Sequence, residues 1–238
     1  MIARYFLPIS ALLLAACGSG AAGAAADRAA DERVTEHDTS PPPDTSASRP
    51  TVLFVGTSLT AGLGLDPSQA YPAIIQEKID SAGLDYRVVN AGVSGETSAG
   101  ARRRVEWLFR NPPAVLVIET GANDGLRGLT PDSLAANIQA IIDRARALDP
   151  APRMVLIGME ALPNMGAAYV RRFRAVYPAL ARKNGIPLVP FLLAGVAGVD
   201  SLNQADGLHP TAAGQRRVAA TVWKVLEPVL RERQRAAA

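Results

Sequence analysis

From Thr51 onward the chain alternates between two hydrophobic rhythms. Short runs rich in β-branched residues, Thr51–Gly56, Tyr86–Asn90, Ala114–Thr120, Arg153–Gly158 and Pro187–Pro190, carry apolar side chains at successive positions. Such runs suit strands covered on both faces, as in a parallel sheet flanked by helices. Between them lie longer amphipathic stretches that predict helices over about Tyr71–Ala82, Ser98–Phe109, Pro131–Leu148, Gly166–Asn184 and Pro210–Glu227. Asp132 and Ser133 near one helix start and Gly185 after another helix's end are boundary marks. No internal repeat is visible. The alternation predicts a single α/β domain over residues 51–231, with 232–238 as a tail. Its architecture is a three-layer α/β/α sandwich around a five-stranded parallel sheet with right-handed crossovers. In open sheets of this kind ligands bind beyond the carboxyl ends of the strands, so chemistry is sought in the loops that follow them.

The first 50 residues follow neither rhythm. Arg4 is the sole charge before an apolar stretch from Tyr5 to Ala16. That stretch is too short to span a bilayer, which takes about 20 residues, and fits the core of an export signal over residues 1–16. It ends in Leu14-Ala15-Ala16-Cys17, which resembles the bacterial lipobox. The resemblance implies cleavage before Cys17 and acylation of its thiol and new amine, an anchor whose chains are each held by about 0.8 kcal/mol per buried methylene. An ordinary secretory signal with an incidental Cys is the alternative. Gly18, where Asp is associated with inner-membrane retention, points to the outer membrane, facing the periplasm. Residues 17–50, built of Ala, Gly, Asp, Ser, Thr and Pro, cannot bury enough surface to offset their ordering entropy. They read as the acylated Cys and a disordered tether.

Composition narrows the chemistry. The 25 basic residues against 22 acidic ones leave a formal charge of +3, and aromatic residues make up 5% of the chain. A nucleic-acid face needs a clustered basic patch with stacking rings, so nucleic acid is not expected as a partner. Arg102-Arg103-Arg104 and Arg216-Arg217 fall in predicted helices and read as solvated faces, while Arg171-Arg172 lies near a post-strand loop within reach of substrate. One Cys and two His exclude an internal disulfide and a Cys/His zinc site of ordinary ligand count, and no metal site is apparent. Since His37 falls in the tether, only His209 belongs to the folded part.

Four loops carry candidate chemistry: Gly56-Thr57-Ser58-Leu59-Thr60-Ala61-Gly62, Asn90-Ala91-Gly92-Val93-Ser94-Gly95-Glu96-Thr97, Gly121-Ala122-Asn123-Asp124-Gly125 and Asp206-Gly207-Leu208-His209-Pro210. The first lacks both Walker spacing and the dinucleotide fingerprint, which argues against a phosphate cradle. A serine hydroxyl needs a base within hydrogen-bond reach, and an acid usually fixes that base's tautomer. With one domain His, a Ser/His enzyme must use His209, with Asp206 three residues before it. Ser58 lacks the Gly-x-Ser-x-Gly elbow of α/β-hydrolases, and Ser94 is a competing nucleophile. The Gly95 amide and the Asn123 side chain could join the Ser58 amide in stabilising an oxyanion.

These four blocks, in this order, resemble the SGNH (GDSL-type) hydrolases, and most closely the multifunctional thioesterase, lysophospholipase and arylesterase branch. The resemblance covers the domain from Val52 to Leu230. It implies a flavodoxin-like SGNH hydrolase fold and a serine ester hydrolase acting on aryl esters, lysophospholipids or acyl thioesters without metal or organic cofactor. By position it makes Ser58 the nucleophile, adds Asp206 and His209 to complete a triad, and gives Ser58, Gly95 and Asn123 the oxyanion hole. One departure is visible: the family's Gly-Asp-Ser-Leu reads Gly56-Thr57-Ser58-Leu59, which puts the rigidity of that loop in doubt. The loop Met159-Glu160-Ala161-Leu162-Pro163-Asn164-Met165 can line a hydrocarbon groove, with Leu162 and Met165 against substrate. The rival readings are a carbohydrate O-acetyl esterase and a non-catalytic envelope lipoprotein. The sequence leaves the oligomeric state open.

Overall fold

The computed structural model describes residues 49–237; the export signal, Cys17 and the tether up to residue 48 lie outside the described residues. Five parallel strands, β1 (Thr51–Gly56), β2 (Arg87–Gly92), β3 (Val115–Glu119), β4 (Arg153–Ile157) and β5 (Leu188–Val189), form one sheet in the order β2-β1-β3-β4-β5. The central strands are continuous apolar runs because both of their faces are covered. Val52 to Val55, Val115 to Ile118 and Val155 to Ile157 are all buried. β2 departs from that expectation. It is an edge strand with no fully buried residue, Arg87 and Asn90 being exposed and the other four half-buried, and it runs two residues beyond the apolar segment that predicts it. Its polar edge suits a strand with a partner on one side only.

Among the described residues seven helices accompany the sheet: α1 (Ser58–Ala61), α2 (Tyr71–Ser81), α3 (Ser98–Leu108), α4 (Ala122–Leu126), α5 (Pro131–Arg146), α6 (Ala167–Asn184) and α7 (Ala212–Ala237). α2 packs on α7, while α3, α5 and α6 pack in series on the other side. α5 illustrates why these segments are helical. Leu134, Ile138, Ile141, Ile142 and Ala145 fall on one buried stripe at helical spacing. Pro131 opens the helix, and the Thr130 hydroxyl accepts the Ser133 N–H at 3.1 Å. Replacing Ile138 by Ala would cost about 2–5 kcal/mol, in line with core truncations of this kind. Gly185, at φ 60°, closes α6 as its position predicts.

Three boundaries differ from the sequence expectation. Arg49 and Pro50 belong to the fold: Arg49 pairs with Asp80 and Asp85, and the Pro50 carbonyl accepts the Arg87 N–H. α7 starts at Ala212, two residues late, because Pro210 is held in a bridge with Asn203. It then continues through Pro228 to Ala237, where the amphipathic stripe adds Val229 and Leu230 to the core, so 232–237 extend the helix. Glu232 there pairs with Arg153 at 3.0 Å.

The strand order places a topological switch between β1 and β3: the chain leaves β1 toward β2 on one side and returns to β3 on the other. The loops at the carboxyl ends of these two strands therefore diverge and leave a crevice. α1 and α4, single short turns that no periodicity announces, stand on either side of it.

Candidate active site

Ser58 is the first residue of α1, one residue after β1, and is largely buried while lining the crevice. The turn that carries it is fixed locally. Thr57 caps α1, and Gly62 at φ 74° reverses the chain after it. Asn90, within β2, donates from Nδ2 to the Thr60 carbonyl at 2.9 Å. Across the crevice, the loop before α7 brings in His209. The Gln204 N–H donates to the His209 carbonyl at 2.7 Å, and its side chain donates to Pro210 O at 3.0 Å and Leu63 O at 2.7 Å. Gln204 thus ties the histidine loop to the segment that follows the Ser58 turn.

The two loops meet in a hydroxyl–imidazole–carboxylate chain. Ser58 Oγ lies 2.8 Å from His209 Nε2, and His209 Nδ1 lies 2.5 Å from Asp206 Oδ2. Asp206 Oδ1 accepts the backbone N–H groups of Leu208 at 2.9 Å and His209 at 3.0 Å. The His209 backbone N–H, its ring and the Leu208 N–H together hold the Asp206 carboxyl down to about 2. An ionised carboxylate against Nδ1 favours the tautomer with its proton there, leaving Nε2 free to accept from Ser58. Ser94 lines the same crevice but is exposed, and the imidazole contact is made by Ser58.

Gly95, from the loop after β2, and Asn123, in α4 after β3, line the same cleft as Ser58. Asn123 Nδ2 donates one hydrogen to the Glu96 carbonyl at 3.0 Å, which sets the amide plane and leaves the other hydrogen uncommitted. Glu96 is in turn gripped by Arg104 through contacts of 2.7 and 2.9 Å, while Arg104 Nη2 also donates to Ala91 O at 2.8 Å. Arg102, Arg103, Arg216 and Arg217 are exposed as expected, but Arg104 is half-buried and braces this loop. Asp124, fully buried, accepts the Ser98 N–H at 2.8 Å and the Ser98 hydroxyl at 2.5 Å, and so locks the two loops together. Gly95 has a φ of 76°, a conformation that side chains rarely tolerate.

These residues border a cleft of about 200 Å³ with a largely apolar lining, including Leu59, Met159, Ala161 and Leu193. Leu63, Leu126, Leu162 and Leu208 stand exposed around its mouth. Leu162 therefore lies where the sequence places it. Met165 does not line the cleft: its methyl packs against Gly128, because the 3-10 turn Pro163–Met165 carries it away. Neither Arg171 nor Arg172 lines it; Arg172 pairs with Asp132 on the surface at 3.0 Å. Among the described residues no group of three or more His, Cys, Asp or Glu side chains is placed to hold a metal ion.

Hydrophobic patterning alone does not single out Glu119, a carboxylate buried at the end of β3 beneath the Ser58 turn. Its signal was an acid closing the run Val115-Leu116-Val117-Ile118-Glu119, where every other side chain is apolar. Leu63, Leu126 and Leu208 carry no signal of their own; only the fold gathers them at one mouth.

Residues 54–217 match the profile of the GDSL-like Lipase/Acylhydrolase family. The chain is 45% identical to Esterase TesA of Pseudomonas aeruginosa over 185 residues, covering 77% of this chain and 91% of that one. It is 34% identical to Thioesterase 1/protease 1/lysophospholipase L1 of Escherichia coli K12, covering 78% and 87% of the two chains. The crystal structure of TesA superposes with a TM-score of 0.72, covering 75% of this chain and 98% of that one. The esterase EstA from Pseudoalteromonas sp., in a form inhibited by monoethylphosphonate, does so with a TM-score of 0.71 at 30% identity, covering 76% and 98%.

Proposed function

The chain belongs to the GDSL-like Lipase/Acylhydrolase family, and from that membership we propose how it hydrolyses carboxylic esters. Ser58 Oγ attacks the acyl carbonyl while His209 Nε2 takes the hydroxyl proton. Asp206 holds the ring in the accepting tautomer and stabilises the imidazolium that forms. The carbonyl electron pair moves onto oxygen, where the Ser58 and Gly95 amides and the free Asn123 hydrogen receive it. The tetrahedral intermediate collapses to an acyl-enzyme, and the leaving alcohol or thiol takes its proton from His209. Water then repeats the sequence, releasing the acid and restoring Ser58. The observation that carries this reading is the contact of 2.8 Å between Ser58 Oγ and His209 Nε2 at the mouth of an apolar cleft.

The relatives are named as an esterase, a thioesterase and lysophospholipase, and an arylesterase. Aryl esters, lysophospholipids and acyl thioesters share one demand, a hydrocarbon groove beside the nucleophile, and the leucines at the mouth support it. A series of p-nitrophenyl esters tests this. Esters longer than acetate are hydrolysed at least as well as acetate, and Ser58→Ala loses all of them. Strict acetyl preference with activity on acetylated sugars would contradict the reading and favour a carbohydrate O-acetyl esterase.

We further propose that the enzyme is a lipoprotein anchored through Cys17 and held in the outer membrane facing the periplasm. Leu14-Ala15-Ala16-Cys17 and the tether-like composition after it support this. Metabolic labelling with radioactive palmitate should mark the wild-type protein and not Cys17→Ser; an unlabelled wild type would overturn the anchor.

A further inference from the structure

Beneath Ser58 lies a buried acid that the proposed reaction leaves unused. Glu119 is 1% exposed, and among the described residues no ion pair includes it. Every hydrogen bond its carboxylate accepts comes from the segment that carries Ser58. Its Oε2 accepts the Thr57 N–H at 2.7 Å, the Thr57 hydroxyl at 2.9 Å and the Thr60 hydroxyl at 2.8 Å. The Thr57 hydroxyl also lies 3.2 Å from Oε1. Ser58 is thus held between two residues fastened to one carboxylate.

The network continues away from the cleft. Thr60 Oγ1 shares a hydrogen bond of 2.8 Å with the Tyr71 hydroxyl. The Tyr71 N–H donates to Gln215 Oε1 at 2.9 Å, and Gln215 Nε2 donates back to Leu59 O at 3.3 Å. Gln215 lies in α7, the helix entered directly from the histidine loop. Gly56 fits the same picture: a Cβ there would come within 2.0 Å of Thr60 Oγ1 and 2.8 Å of Glu119 Oε2. The volume a side chain would need is already taken by the grip.

An acid buried without a cation is a poor way to stabilise a core, since an apolar residue of similar volume often serves as well or better. What a carboxylate offers is direction: it aims several donors at one point. We propose that Glu119 is a positioning residue for the ester hydrolysis, gripping Thr57 and Thr60 so that the Ser58 N–H and Oγ face Asn123 and His209. The proposal rests on Ser58 as nucleophile. It also gives Thr57 a task. An acid at 57, as in Gly-Asp-Ser-Leu, would set a second carboxyl against Glu119, whereas the Thr57 hydroxyl donates to it.

The test uses the full-length protein with Glu119→Gln, Thr57→Val and Thr57→Ser. Active sites are counted by titration with a fluorophosphonate, and kcat per titrated site and KM are measured on p-nitrophenyl butyrate. Because small misplacements at a reacting centre are costly, Glu119→Gln and Thr57→Val should each lower kcat per titrated site by at least about 10-fold, with KM within about 3-fold. Thr57→Ser, which keeps the hydroxyl, should stay within about 3-fold of wild type. Thr57→Val is nearly isosteric and decides the matter should Glu119→Gln fail to fold. Wild-type kcat per titrated site in Thr57→Val, with any loss appearing only as fewer titratable sites, would overturn the proposal. An active wild type that is not labelled at Ser58 would instead overturn the nucleophile assignment, and this proposal with it.

Discussion

Asp206 binds His209 twice: Oδ2 meets the ring Nδ1 at 2.5 Å, and Oδ1 accepts the His209 backbone N–H at 3.0 Å. A spacing of three residues within one tight loop is what allows a single carboxylate to hold both the main chain and the ring. The orientation of the imidazole toward Ser58 thus comes from local geometry and needs no support from a distant strand.

Asp206→Asn keeps the shape of this loop but can present an amide N–H to Nδ1, which favours the wrong tautomer. We expect kcat to fall by up to about 10⁴ with KM little changed, as for tautomer reversal in the Ser-His-Asp template. Steady-state kinetics on a p-nitrophenyl ester of both proteins checks this, and a loss confined to KM would contradict it.

The same contacts carry a pH signature. The folded carboxyl is depressed from its ordinary 3.8 to about 2, so its contribution to stability is present above about pH 4 and is lost as pH falls through about 2. Asp206 is half exposed, so the effect is small. Thermal unfolding should show a Tm gap between wild type and Asp206→Asn that persists at about pH 4 and closes toward about pH 2. A gap that widens on acidification would contradict the assignment.

Asn123 reaches the cleft with its amide plane already set by the Glu96 carbonyl, itself braced by Arg104. A donor fixed before the reaction costs no reorganisation when charge develops. Asn123→Ala should lower kcat by about 10²–10³ at nearly constant KM, as for loss of one oxyanion donor. A large rise in KM at constant kcat would make Asn123 a binder of ground-state substrate.

Leu162 and Met165 sit three residues apart, yet only Leu162 lines the cleft. Leu162→Asp should therefore impair long-chain p-nitrophenyl esters selectively, while Met165→Ala should leave the chain-length profile unchanged. Equal effects from both would show that the loop acts through its packing.

Much of this was legible because the signals were either continuous or local. The buried strands β1, β3 and β4 are uninterrupted apolar runs, and Asp206 and His209 share one loop. The contact between Ser58 and His209 spans 151 positions, so that site came into view only through the order of its four motif blocks. Glu119 is not legible in the sequence because hydrophobic patterning treats a lone acid at a strand end as a boundary mark. In the sequence Arg104 is indistinguishable from its solvated neighbours Arg102 and Arg103; one helical step turns it onto Glu96. Met165 was misplaced because a 3-10 turn has no hydrophobic period to reveal it.

Ester hydrolysis as proposed requires that Ser58, made nucleophilic by His209, form the covalent intermediate. Peptide mass spectrometry after fluorophosphonate treatment tests it most directly. One adduct is expected, on Ser58, formed rapidly in the wild type and far more slowly in folded His209→Ala. An adduct on Ser94, or equally fast labelling of Ser58 without the imidazole, would contradict it.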